Sequence, residues 1–217
     1  MIQNILRQIS DITSALISVS LSSEQNFPSE QNGTIYISGK HDLSVVLKNI
    51  PYSEVYEILD TKKNFNIKLV DGALIQLMYQ FDGDGTLLKH RLAFFPSPNL
   101  GEFQNNREIY ELDELYADVV LRNIVPAPIR FDYDPASYVE GYHPRSHLTI
   151  GQYKNCRIAT SAPLTPNMFI EFILRSFYNT ATIKFTESLA FPKTDFFDEC
   201  IHESERTSLH MAITLPC

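Results

Sequence analysis

Cysteine is scarce in this chain of 217 residues: only Cys156, Cys200 and Cys217 occur. An odd number with no C-x-x-C pair supports neither a disulfide framework nor a zinc knuckle, and reduced thiols in a cytoplasm fit the pattern. Positive charge is also short. Lys and Arg number 18 against 26 Asp and Glu, a formal net charge of −8. That balance excludes broad coating of a nucleic-acid backbone, which needs a dense surplus of cations to displace counterions, but leaves room for a local basic patch. Long apolar runs are missing as well. The first 21 residues are interrupted by Gln3, Asn4, Arg7, Gln8 and Asp11, so they lack the unbroken apolar region of a signal peptide. No other stretch approaches the roughly 18 to 20 apolar residues that span a bilayer. There is no P-loop, no G-x-G-x-x-G, and no G-x-S-x-G around Ser161, so standard nucleotide folds and serine hydrolases lose support.

What is present is core-forming material. Hydrophobic residues make up 44% and aromatic residues 12%, enough to bury a substantial interior, so the expectation is one α+β domain over residues 1–217. Ile2, Ile5, Leu6, Ile9, Ile12, Leu16 and Val19 recur at steps of three and four, the mark of an N-terminal amphipathic helix. The polar stretch Ser22–Gly33 is expected to be a loop, and Thr34–Ser38 a short strand. Residues Asp42–Lys63 predict one or two short helices divided by Pro51, which lacks the amide a helix interior needs. Phe65–Val70, Ala73–Phe81 and Thr86–Phe95 then predict an antiparallel meander. They are separated by Asp71-Gly72 and Asp82-Gly83-Asp84-Gly85, residue types that tolerate the positive φ of tight turns. The second of these begins like a calcium loop but lacks the later ligands and the closing Glu.

Beyond a helix expected near Ile109–Tyr116 and an apolar run at Val119–Val125, alternation with period two predicts strands at Ile129–Asp134 and His147–Gln152. Thr165-Pro166 is a helix start, a hydroxyl cap followed by proline at the first helical position. In the segment that follows, Met168, Phe169, Ile170, Phe172, Ile173, Leu174 and Phe177 leave a narrow polar stripe of Glu171, Arg175 and Asn179, so a helix near 166–180 should be buried on most sides. A short helix around Thr194–Ile201 and a closing strand near Leu209–Leu215 complete the expected order.

Ionisable residues concentrate between Arg130 and Arg157. On a strand, Arg130, Asp132 and Asp134 share one face, and His147 and Thr149 share a face of the next. If the two strands are neighbours, a patch of Arg, two Asp, His and Thr forms beside a loop carrying His143 and Arg145. Two chemistries suit such a patch. Asp132, Asp134, His143 and His147 combine the carboxylate and imidazole ligands of a catalytic divalent cation, although H-x-x-x-H with Pro144 inside it is a weak spacing. Alternatively His147-Leu148-Thr149-Ile150 resembles the H-x-T element of two-histidine phosphoesterases. Its only candidate second copy is His202-Glu203-Ser204, followed by Glu205 where an apolar residue belongs. The bland alternatives are a polar strand face and an exposed acidic turn.

His143-Pro144-Arg145-Ser146-His147-Leu148-Thr149-Ile150-Gly151, Cys156-Arg157-Ile158, Pro163-Leu164-Thr165-Pro166 and the Phe/Ile-rich segment Phe169–Tyr178 together resemble an uncharacterised family of bacterial proteins of similar size, defined as a domain of unknown function. The resemblance implies a bacterial cytoplasmic protein from a mobile or phage-defence gene cluster and supplies no activity. The leading expectation is therefore a non-catalytic accessory component that binds a protein partner from the same cluster. The competing one is a phosphodiester-cleaving enzyme, with His147, His143 and Asp132 catalytic and Arg145, Arg157 and Thr149 holding phosphate. A divalent metal on Asp132, Asp134, His143 and His147 belongs to that second expectation only.

Overall fold

A computed structural model describes residues 1–37, 50–99, 115–119, 125–153, 155–192 and 195–213. The expected helix near Ile109–Tyr116, the segment 42–49, most of the run Val119–Val125 and Cys217 fall largely outside them. The architecture is α+β, a mainly antiparallel sheet of nine strands among the described residues. In chain order the strands are β1 (Ser22–Gln25), β2 (Pro28–Gln31), β3 (Thr34–Ile37), β4 (Ile67–Leu69), β5 (Leu74–Phe81), β6 (Leu87–Phe95), β7 (Ile129–Tyr133), β8 (Ser146–Ile150) and β9 (Ile158–Ala159). Their spatial order is β1-β4-β5-β6-β7-β8-β9, with the β2–β3 hairpin joined to β5 through β3. The helices are α1 (Ile2–Ser18), α2 (Tyr52–Thr61), α3 (Pro166–Phe177), α4 (Asn179–Lys184) and α5 (Glu203–Arg206).

The two faces of the sheet have different fates. Along β5 and β6 the side chains of Ile75, Leu77, Tyr79, Leu92 and Phe94 point one way and are fully or almost fully buried against Ile5, Ile9, Ile12 and Leu16 of α1 and Phe169, Ile170, Ile173 and Leu174 of α3. Each such side chain taken out of water contributes about 1.5 to 3 kcal/mol, which is why the three-four spacing in α1 specifies its orientation. Polar sutures fix the helix pair. The buried Gln8 accepts from the Asn167 amide at 3.2 Å and donates to Asp195 Oδ2 at 3.0 Å. Thr165 caps α3, its hydroxyl accepting from the Met168 amide, and Arg175 pairs with Glu171 on the outer stripe.

On the opposite face, α2 covers only one end of the strands. Pro51 sits just before α2, and Val55, Tyr56 and Leu59 close over Phe65, Leu74, Ala93 and Phe95. The other end of that face carries polar side chains.

Three expectations are corrected. The Ser22–Gly33 stretch is not a loop but β1, β2 and their connections. Edge strands need only backbone partners, and here Ser22–Gln25 pairs with β4 while Asn32-Gly33, both at positive φ, turns β2 into β3. Pro28 opens β2, a position where a missing amide costs no ladder bond. At the C-terminal end, the helix lies at Glu203–Arg206 instead of Thr194–Ile201. The Cys200 and Ile201 amides both donate to the Ser161 carbonyl, so this stretch spends its donors on another segment. Among the described residues, the closing strand expected near Leu209–Leu215 is reduced to one parallel bridge between Thr160 and Met211. The Asp82–Gly85 segment is a hairpin turn, with Asp82 Oδ1 accepting from the Asp84 and Thr86 amides.

Candidate functional site

β7 and β8 are neighbours, paired in the register Asp132↔His147 and Arg130↔Thr149. β6 flanks β7 on its other side, with Arg91 opposite Asp132, and Met78 of β5 lies opposite Arg91. A rung of the ladder therefore runs Met78, Arg91, Asp132, His147 on the face that α2 leaves uncovered. The next rung toward the open end sets Lys89 near Asp134, whose ion pair spans 2.7 Å. The rung toward α2 places Arg130 opposite Ala93, and that small residue leaves Arg130 room to lean toward Asp132.

The β7–β8 connection forms the end wall. A short 3-10 turn at Pro135–Ser137 is followed by a tight reversal in which Val139 and His143 exchange backbone bonds around Gly141, at φ +73. A side chain is strained at that φ. The reversal brings the His143 ring edge-on to His147, with centroids 4.9 Å apart. These elements enclose a cavity of about 500 Å³, whose polar lining includes Lys89, Arg91, Arg130, Asp132, Asp134, His143, His147 and Arg157. One lysine and three arginines against two carboxylates leave a formal local surplus of two positive charges in a chain of net charge −8.

Asp132 is the hub. Its Oδ1 accepts from Arg91 Nε at 3.0 Å and its Oδ2 from Arg130 Nε. Burial pushes its carboxyl upward, but the Arg130 and Arg91 guanidiniums outweigh burial and hold it below the ordinary carboxylate range. His147 donates from Nδ1 to the Pro144 carbonyl at 3.1 Å, which leaves the lone pair on Nε2, 3.9 Å from Asp132 Oδ2. Burial pulls its pKa down to about 4, the nearby Asp132 only partly opposing, so the ring is neutral near pH 7. His90, on the core face, accepts from the Leu164 amide at 3.3 Å and is likewise pulled down to about 4 by burial.

Of the residues singled out from the sequence, the cavity gathers Asp132, Asp134, His143, His147 and Arg157. Thr149 and Arg145 lie outside its wall, the Arg145 guanidinium resting 5.0 Å from the centre of the Tyr138 ring. As a metal centre the set Asp132, Asp134, His143 and His147 does not fit. Both oxygens of Asp132 are taken by guanidiniums and Asp134 Oδ2 is taken by Lys89 and Ser137. Among the described residues no group of three or more His, Cys, Asp or Glu side chains is placed to hold an ion. His202 is not in the cavity. It caps α5 in a capping box, its backbone amide donating to Glu205 Oε2 at 2.9 Å, so His202-Glu203-Ser204 is a helix start and not a second H-x-T strand. Lys89 and Arg91 were missed in the sequence, although the alternation of Leu87–Phe95 sets both on one strand face.

No helix of the described residues is long and apolar enough to cross a membrane. No curated protein and no solved structure matches the chain. A family model described as "Uncharacterized conserved protein (DUF2290)" matches residues 21–213, nearly the whole length. The strands, the cavity wall and α3 all lie within that span, and the chain belongs to this family.

Proposed function

We propose that this protein is an accessory, ligand-binding component of a bacterial multi-gene system, working in the cytoplasm with a protein partner from the same cluster, and that its cavity holds a phosphate-bearing ligand. One observation carries the ligand assignment: Lys89, Arg91, Arg130 and Arg157 converge on one cavity in an otherwise acidic chain. Asp132 and Asp134 answer only two of these four charges, which favours an added anion in a half-buried space, and guanidinium is the group best matched to phosphate oxygens. The side chains of Arg91 and Arg130 are only 21% and 17% exposed, so the attraction is weakly screened. His143 Nδ1 adds a buried polar atom on the wall with no partner among the described residues.

The test is calorimetric titration of the full chain with phenyl phosphate. Saturable binding is expected, weakened about tenfold or more by Arg157→Ala, which removes one cation facing the cavity. Absence of binding at millimolar ligand, or indifference to Arg157→Ala, contradicts the assignment.

A second reading, phosphodiester cleavage, draws on His147, whose unprotonated Nε2 lies in the cavity that the arginines line, as a general base would. Its low pKa makes it a weak base at neutral pH. Turnover of bis(4-nitrophenyl) phosphate that is lost in His147→Gln would favour this reading over simple binding.

A further inference from the structure

Arg91 and Arg130 spend the same atom on Asp132. Each gives its Nε to one carboxylate oxygen, Arg91 to Oδ1 and Arg130 to Oδ2. Their terminal Nη groups hold no partner among the described residues. A carboxylate bridging two guanidiniums through their Nε atoms fixes the plane and direction of both, and it leaves the two Nη amino groups of each available for a shared anion. Arg157 also lines the cavity, one residue before Ile158, which pairs with Leu148 next to His147, and so brings a third guanidinium to this end of it.

We infer that the site takes a terminal phosphate monoester as its dianion, and that Asp132 is a positioning residue that aligns Arg91 and Arg130 to receive it. This rests on the phosphate reading above and narrows it. The charges match: three guanidiniums and one carboxylate leave two positive charges at this end of the cavity, the complement of a monoester dianion. The donors match too. A terminal phosphate offers three non-bridging oxygens to three guanidiniums, whereas a diester offers two and carries one negative charge. Lys89 stays outside this count because Asp134 answers it at 2.7 Å.

Positioning and plain electrostatics give opposite signs for one substitution. Asp132→Asn removes a negative charge from the site, so attraction alone would tighten anion binding, whereas loss of the bridge frees both guanidiniums and weakens it. The experiment titrates the full chain, wild type and Asp132→Asn, with phenyl phosphate and with its methyl diester, methyl phenyl phosphate. Expected are a preference of about tenfold or more for the monoester in the wild type, and binding of the monoester about tenfold weaker in Asp132→Asn, with both proteins shown to be folded by far-ultraviolet circular dichroism. Should Asp132→Asn fail to fold, Arg91→Lys carries the same test, since it keeps the charge and loses the planar fork. The same loss is expected there. Equal affinity for the two esters, or undiminished monoester binding in the folded variant, overturns this inference and leaves the phosphate reading standing. No binding of either ester by the wild type overturns both.

Discussion

Lowering the pH from 6.5 to about 4 should weaken the fold, and most of the weakening should trace to His90 and His147. Both rings are 2% exposed, and burial lowers the folded pKa of each from 6.5 to about 4. Within that window the unfolded chain binds protons that the folded chain refuses, so stability is intact above 6.5, falls as pH falls, and has lost the full amount below about 4. At about 1.36 kcal/mol per pH unit, each ring accounts for about 3 kcal/mol, a large share of the roughly 5 to 15 kcal/mol that holds a typical domain together. The His147 ring lowers the pKa of His90, so the two contributions are not independent. Asp132 does not confuse the window, because its carboxyl is held below 3.8 and acts only at lower pH. Asp71 does act there with the opposite sign. Burial raises its carboxyl, so the folded chain gains protons on it as pH falls. The assignment is therefore made by difference. Urea unfolding followed by far-ultraviolet circular dichroism, or by the emission of 11 tyrosines unobscured by any tryptophan, gives stability at each pH. His147→Gln and His90→Gln, the latter keeping an acceptor for the Leu164 amide, should each flatten the slope. A slope unchanged in both variants would refute the burial argument.

Two structural predictions can be checked by the same unfolding assay. Gly33→Ala should destabilise by about 1 to 3 kcal/mol, because the residue sits at φ +76 and an added Cβ would meet the Phe81 carbonyl oxygen at 2.5 Å. Thr165→Ala should cost about 1 kcal/mol through loss of the α3 cap, and a variant as stable as the parent would remove the cap from the list of things that set the helix start.

Local periodicity made much of this fold legible. The three-four spacing of Ile5, Ile9, Ile12 and Leu16 and the Thr165-Pro166 start both translate directly into buried helix faces. So do the turns that separate β4, β5 and β6, because each reports a constraint among near neighbours in the chain. The polar β1 and β2 strands were not legible: their stability comes from backbone pairing with β4 and β3, which leaves no apolar alternation to read. The C-terminal segment was missed for a related reason, since the Cys200 and Ile201 amides both donate to the distant Ser161 carbonyl.

The site was half visible. Alternation placed Arg130, Asp132 and His147 on shared faces, and the register of β7 with β8 joins them. That β6 lies on the other side of β7, and delivers Arg91 to Asp132, is a long-range fact no local pattern contains. Arg91 and Arg130 both bind it, so neither oxygen of Asp132 is free for the metal the sequence suggested. The clustered HPRSH residues divide for a simpler geometric reason: His143 and His147 face the cavity while Arg145 turns to Tyr138.

The most direct measurement is the side-chain Nε–H spectrum of arginine in isotope-labelled full-length protein during titration with phenyl phosphate. The Nε–H signals of Arg91 and Arg130, assigned by their loss in Arg91→Lys and Arg130→Lys, should move together and saturate, with Arg145 unmoved. Shifts at arginines remote from the cavity with those two unchanged, or no saturable shift at all, would contradict the central claim that this cavity is a phosphate site.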